Sequence, residues 1–345
     1  MNGICFSVQD CFDFELGQIT TKNIVALVLL AVVLAFSNLA HAQQDNIYRV
    51  GMLAPPVQAK DRPHISGLRD GLKAAGYIET KNLQLSIPKA KTYQELRPIA
   101  NGYVENKIDV IVTDGGTATG IAKEATNTIP IIFIWGLVDP VGAGVVKSLA
   151  RSETNVTGVT SSPGPEIQGK RLELFKEAVP TLRRVTLLYN ARGENPGQAK
   201  SLAVVREVAP KLGLTLAEKP IRAASEADNA VLSVSKDTTD SIFIIGSGLF
   251  GEPCKKITTM AIQKRLPLTG CALELESLLS YEPDRYRNGY RGAWFVDQIL
   301  KGTRPQELPV EAPTRFEFII NLKTAKQIGL TIPPNVLARA DRVIK

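Results

Sequence analysis

Histidine is nearly absent: the 345 residues hold two, His41 and His64. A histidine-dependent nucleophile or a histidine-rich zinc site therefore has almost nothing to be built from. No Gly-x-Ser-x-Gly elbow marks a hydrolase nucleophile, and no Walker A lysine loop marks a nucleotide site. Cysteine is scarce too, and Cys5, Cys11, Cys254 and Cys271 lack the spacing of metal ligands. Aromatics make up only 6 % of the chain. Lys and Arg number 41 against 34 Asp and Glu, and the excess is scattered. A nucleic-acid surface needs a basic stripe and stacking aromatics, so nucleic acid is excluded as a partner.

Long apolar runs are also missing, with one exception at residues 24–36, IVALVLLAVVLAF. Lys22 precedes it and Ser37 to Ala42 supply a small-residue cleavage pattern, so 1–42 reads as a secretory signal cut near Ala42. The run falls short of the roughly 20 residues that span a bilayer. The alternatives are an uncleaved anchor, or a start placed too far upstream, since Asp10, Asp13 and Glu15 are unusual in such a leader. Localisation is then periplasmic. Of the cysteines beyond the leader, Cys254 is expected at a helix start and Cys271 at the end of the next strand. Both would lie at one sheet edge, where a disulfide and two buried thiols remain the alternatives.

Short apolar runs alternate with amphipathic stretches along the rest of the chain. Strands are expected at 47–53, 82–87, 109–113, 131–135 and 155–160, with helices at 65–75, 93–106, after Gly116 and at 141–149. Composition changes at Ser161-Ser162-Pro163-Gly164-Pro165, a linker-like stretch. A second series follows, with helices at 166–178, 199–212, 226–234, 255–265 and 286–300 and strands at 185–189, 214–218, 241–245, 266–269 and 316–321. The fold class is α/β, with parallel sheets flanked by helices in two lobes around a cleft. The sequence puts 43–160 and roughly 282–312 in lobe 1 and 161–281 in lobe 2. It is silent on which lobe takes 313–345.

Parallel sheets bind ligands beyond the carboxyl ends of their strands. The turn Asp114-Gly115-Gly116-Thr117-Ala118 joins a strand to a helix, so its free amides and the helix dipole suit a carboxylate or phosphate. Other strand ends supply Pro55, Trp135, Asp139, Asn190, Ser247, Glu274 and Tyr281. Together these twelve residues describe a polar-rimmed pocket walled by Trp135 or Tyr281. Asp139 before Pro140 could instead cap the next helix. His64 reads as an isolated, exposed residue near the first loop.

Several long motifs carry a resemblance. DVIVTDGGTATGIAKEATNTIPIIF, VDPVGAGVVKSLA, NVTGVT, KRLELFKEAVP, RLPL and LPVEAPTRFEFIINLKTAKQIGLTIPPNVLARADRVI resemble, in order over 47–344, the TrpX-like solute-binding proteins of ABC transporters. The resemblance implies a type I periplasmic-binding fold of two Rossmann-like lobes joined by crossing segments. By motif, Gly115 to Ala118 would hold the ligand's anionic end. Leu188-Tyr189-Asn190 would face it from lobe 2, and Ser280-Tyr281 would fall in a crossing segment. The chain departs from the family pattern at Asp114, at Ser152-Glu153-Thr154, at Glu276 to Leu279 and at Glu282. An acid at 114 could pair with a ligand ammonium or repel anions.

These readings converge on a non-enzymatic, monomeric receptor with no cofactor and no metal. Its expected partners are a small solute, amino-acid-like and of aromatic character in some relatives, and an inner-membrane permease with a cytoplasmic ATPase. The rivals are an exported enzyme acting on a small carboxylate through Asp139 and Glu274, and a membrane-anchored sensory domain.

Overall fold

The computed structural model describes residues 47–54, 62–192, 196–246, 248–251, 253–271 and 276–345. The leader, Pro55, Ser247 and Glu274 lie outside the described residues. The first series runs β1 (Tyr48–Leu53), α1 (Pro63–Ala74), β2 (Leu83–Ser86), α2 (Leu96–Glu105), β3 (Val110–Asp114), α3 (Gly116–Ala125), β4 (Ile131–Trp135) and β5 (Val156–Val159). The second runs α4 (Ile167–Ala178), β6 (Arg184–Asn190), α5 (Pro196–Lys211), β7 (Thr215–Ile221), α6 (Ala224–Leu232), β8 (Ser241–Ile244), α7 (Cys254–Gln263), β9 (Leu268–Thr269) and β10 (Leu279–Pro283). Then come α8 (Arg285–Leu300), β11 (Val310–Glu311), β12 (Phe316–Asn321), α9 (Leu322–Ile328), α10 (Pro334–Leu337) and β13 (Arg342–Ile344).

Strands form from the apolar runs because helices cover both faces of each sheet, which suits continuous burial rather than alternation. β3, β5 and β8 are buried along their whole length. The first sheet has the order β11-β5-β4-β3-β1-β2, with every pairing parallel. The second has the order β13-β12-β10-β9-β8-β6-β7, parallel except where β10 meets β12. In each, the opening strand sits between the second and third, so the winding reverses there. That reversal opens the crevice in which such sheets take ligands.

Each sheet is sandwiched between two apolar clusters. Val50, Met52, Ile132 and Ile134 face Leu68 and Leu72 of α1 and Phe295 of α8, while Ile111, Ile131 and Phe133 face Ala100 of α2 and Ile121 of α3. Leu187 and Phe243 pack with Phe175 of α4 and Val205 of α5, while Ile242 and Ile244 meet Val231 of α6 and Ile257 of α7. The chain passes between the sheets after β5, at the β10–α8 junction and between β11 and β12. Asp284 starts α8 by accepting the Arg287 amide at 3.0 Å, and Asn321 starts α9 by accepting the Thr324 amide at 3.1 Å.

Helices α1 and α8 cross with their backbones nearly touching. A Cβ on Gly67 would lie 2.0 Å from the Tyr286 carbonyl oxygen, and one on Gly289 would lie 1.8 Å from that of His64. Only glycine permits that approach. The crossing brings the start of α1 and the start of α8 together at the carboxyl edge of the first sheet.

Residues 141–149 form turns rather than the expected helix. Asp139 Oδ1 accepts the Gly142 amide at 2.8 Å and its carbonyl accepts the Ala143 amide at 3.0 Å, but Gly144 then adopts φ +65° and ends the turn. The segment holding Ser280 and Tyr281 is strand β10, and the tail adds β11, β13 and two short helices that the sequence pattern did not reveal. Both β12 and β13 join the second sheet.

Candidate functional site

Between the carboxyl edges of the two sheets lies a cavity of about 570 Å³. The first sheet contributes Asp114 to Ala118 after β3 and Trp135 to Asp139 after β4. From the second come Gly246 after β8, Thr269 to Cys271 after β9, and Leu279 to Glu282 of β10. Tyr93, Gln168 and Arg171 of α4, Gln198 of α5 and Arg285 of α8 also line it.

At the end of β3, Gly115 takes φ 103° and ψ 147° and turns the chain into α3. Its amide donates to the Trp135 carbonyl at 2.9 Å, which locks the turn onto β4. The amides of Gly116, Thr117 and Ala118 are the first of the helix and have no acceptor one turn back. Gly115 supplies no side-chain cap. Three amide donors and the positive end of the dipole therefore lie at the cavity, an arrangement whose chemistry suits an anion such as a carboxylate. The Thr119 hydroxyl is not available, because it bonds Thr113 Oγ1 at 2.8 Å and the Gly115 carbonyl at 3.0 Å.

Asp114 and His64 form a buried pair beside these amides, at 5 % and 4 % exposure. His64 Nε2 lies 2.8 Å from Asp114 Oδ2, and Arg62 Nη1 lies 3.5 Å from the same oxygen. A carboxylate only accepts, so a neutral His64 carries its proton on Nε2. Its Nδ1 is buried without a partner. The imidazole stacks on Trp135 with centroids 6.4 Å apart and planes 11° apart. His64 is thus buried and bonded, not isolated and exposed. The reason is the close crossing of α8, which covers the start of α1.

On the other wall a charge chain links the lobes. Arg171 Nε donates to the Tyr281 carbonyl at 2.8 Å, and Arg285 Nη2 donates to Glu282 Oε2 at 2.8 Å. The Arg285 guanidinium also sits 5.0 Å from the Trp135 ring centroid, within cation–π range. Burial works to raise the Glu282 carboxyl, but the nearby Arg285 and Arg171 charges and hydrogen bonds from Arg285 and Ser280 overcome it, leaving it below the usual carboxylate range. Burial pushes the Arg171 guanidinium down, partly offset by Glu282. Two acceptors in the wall are unused: Oε1 of Gln168 and Oε1 of Gln198 are buried with no partner. Gln198 Nε2 is committed to the Gly246 carbonyl at 2.9 Å.

Of the residues expected at the site, Asp114, Gly115, Gly116, Thr117, Ala118, Trp135, Asp139 and Tyr281 line one cavity. Asp139 spends Oδ1 on the Gly142 amide, so it caps a turn. Asn190 is not among the lining residues. Its Oδ1 accepts the Arg192 amide at 3.0 Å and closes a turn of its own. Tyr189 beside it packs against the core of the second lobe. Cys254 and Cys271 are joined by a disulfide that ties the start of α7 to the end of β9, with Cys271 in the cavity wall. Tyr93, Gln168, Arg171, Gln198 and Arg285 escape a reading based on strand ends because all five come from helical segments or turns. Gly246 to Gly251 has Gly-x-Gly-x-x-Gly spacing, but Gly248–Phe250 is a short 3-10 turn, not the helix that a dinucleotide site requires.

Comparison with known proteins agrees with this architecture. The family model for ABC transporter substrate binding proteins matches residues 58–344. A protein of Clostridioides difficile named Tyrosine-binding protein is 26 % identical over 269 residues, covering 76 % of each chain. A conserved domain protein of Vibrio cholerae is 29 % identical, with a TM-score of 0.71 over 86 % of this chain and 100 % of its own. A Streptococcus pneumonia ABC domain in complex with L-Trp has a TM-score of 0.73 at 24 % identity, over 86 % of this chain and 99 % of its own. The chain belongs to the family of ABC transporter substrate binding proteins.

Proposed function

We propose that this member of the ABC transporter substrate binding protein family captures an aromatic amino acid between its lobes and delivers it to a membrane permease. The observation that carries the reading is the set of three amides at the start of α3, facing a cavity walled by Tyr93, Trp135 and Tyr281. The amides suit the carboxylate and the rings suit an apolar, planar side chain. A cavity of about 570 Å³ lies within the range of about 300–1,000 Å³ that holds small ligands. Gln168 and Gln198 offer unused oxygens for an indole N–H or a phenol O–H. The Clostridioides relative bears a tyrosine-binding name and the pneumococcal neighbour holds L-Trp, which supports the same class of ligand here.

Delivery follows from the geometry of capture. Amides and Trp135 belong to one lobe, and Gln168, Gln198 and Tyr281 to the other, so a ligand gains its full set of contacts only when the lobes approach. A ligand shifts the equilibrium between lobe arrangements by its difference in affinity for them. The leader at 1–42 supports export to the periplasm, with the protein acting as a monomer and performing no chemistry on its cargo. Among the described residues no helix is long and apolar enough to cross a membrane.

Titration calorimetry against L-tryptophan, L-tyrosine, L-phenylalanine, L-leucine, L-aspartate and D-arabinose tests the reading. Saturable binding of an aromatic amino acid, at least tenfold tighter than L-leucine, is the expected result. Binding of L-aspartate or arabinose with no binding of the aromatic amino acids would overturn it.

A further inference from the structure

We infer that Asp114 is the receptor for the ligand's ammonium, held in place by His64, so that the cleft selects molecules with a free α-amino group beside their carboxylate. This deepens the amino-acid reading above and rests on it. Asp114 ends β3 directly before the turn that presents the amides of Gly116, Thr117 and Ala118. A carboxylate and a set of anion-binding donors therefore share one strand end. Only a ligand carrying both charges on neighbouring atoms satisfies both at once.

The pair's contacts favour this role. His64 Nε2 at 2.8 Å and Arg62 Nη1 at 3.5 Å both contact Oδ2. Neither His64 nor Arg62 lines the cavity, whereas Asp114 does. They reach the carboxylate from behind, and Oδ1 accepts no hydrogen bond from any described residue. His64 Nε2 fixes the orientation of Oδ2, so His64 is a positioning residue, while Arg62 offsets part of the carboxylate's charge on that same oxygen and leaves Oδ1 to the ligand. Burial first, and then the Asp114 carboxylate, push the Tyr93 phenol up, and Arg62 offsets part of this. A ligand with a carboxylate but no ammonium would meet the same charge as repulsion. The competing acceptors for an ammonium are the unused oxygens of Gln168 and Gln198.

Calorimetry with matched probes tests the inference. L-tryptophan and indole-3-propionate share ring and carboxylate and differ in the ammonium, as do L-tyrosine and 3-(4-hydroxyphenyl)propionate. The unaltered protein is expected to bind each amino acid roughly 10- to 100-fold more tightly than its deaminated partner, the scale of one charge-assisted hydrogen bond. Asp114→Asn should weaken the amino acids by about that factor and leave the deaminated acids unchanged or tighter. His64→Gln, which can still donate to Oδ2, should keep the ratio, and His64→Leu should lose much of it. Equal binding of both members of a pair by the unaltered protein would overturn the inference without any variant. So would an Asp114→Asn protein with an unchanged ratio, which would move the ammonium to Gln168 or Gln198. If no aromatic amino acid binds at all, the reading of the site fails and the inference falls with it.

Discussion

Replacing Gly116 by proline removes one of the amides proposed to hold the ligand's carboxylate while leaving the helix intact. Gly116 is the first residue of α3, where the amide has no helical acceptor and proline is tolerated. Gly115 before it has ψ 147°, the extended value that a residue preceding proline prefers. A Cβ at 116 would meet only the Gly136 carbonyl and Leu137 Cδ1, both at 3.6 Å, an ordinary contact. Gly116→Ala adds the same Cβ and keeps the amide, so it controls for the Cβ and leaves the lost N–H, with the ring carbons that replace it, as the difference. A hydrogen bond to a charged group contributes about 1.5–3 kcal/mol, so Gly116→Pro should weaken an amino-acid ligand roughly 10- to 150-fold. Gly116→Ala should stay within about threefold, on the scale of the small effects expected where no such contact is lost. Titration calorimetry reads both, with the thermal midpoint as a check on folding. Equal affinities for the two variants, with equal midpoints, would refute the assignment of the ligand's carboxylate to these amides.

Four further perturbations probe the framework. Gly289→Ala drives a methyl into the His64 carbonyl and should cost about 1–3 kcal/mol, read as a lower thermal midpoint together with weaker ligand binding. Gly102→Ala, in open space on α2, should instead stabilise by about 0.4–1 kcal/mol. Replacing Cys254 and Cys271 by serine frees a chain separation of 17 residues, and loop closure of that size predicts a loss of about 3 kcal/mol in denaturant unfolding. Because the Glu282 carboxyl is held below its usual range when folded, its contribution is complete above the unfolded value near 4.5 and is lost as pH falls through the folded one. Glu282→Gln should therefore be less stable than the unaltered protein at pH 7, with the gap shrinking as the pH falls below about 4.5; a gap that is constant with pH would contradict the ion-pair account.

Much of the fold was legible because buried parallel strands write themselves as short apolar runs. Ile131–Trp135 and Phe316–Asn321 have the bounds that the sequence pattern suggests. The glycine turn at 115–116 was legible too, since a strand followed by Gly-Gly and a helix has one local meaning. Residues 141–149 misled because their apolar spacing is helical while Gly144 takes a positive φ that ends the turn. His64 misled for a longer-range reason: its burial depends on Gly289, more than two hundred residues away, letting α8 approach α1. Arg171 and Arg285 carry no local sign of a site, because their meeting at Glu282 is created by the crossing of the chain between lobes. Asn190 had the right position on its strand, but its side chain turns to its own backbone.

A crystal structure of the protein with its amino-acid ligand tests the central claim most directly. The account predicts the ligand's carboxylate oxygens within hydrogen-bond distance of the Gly116, Thr117 and Ala118 amides and its ring among Tyr93, Trp135 and Tyr281. A ligand lodged elsewhere, or one seated in the cleft with its carboxylate on Arg171 or Arg285 and no contact to those amides, would contradict it.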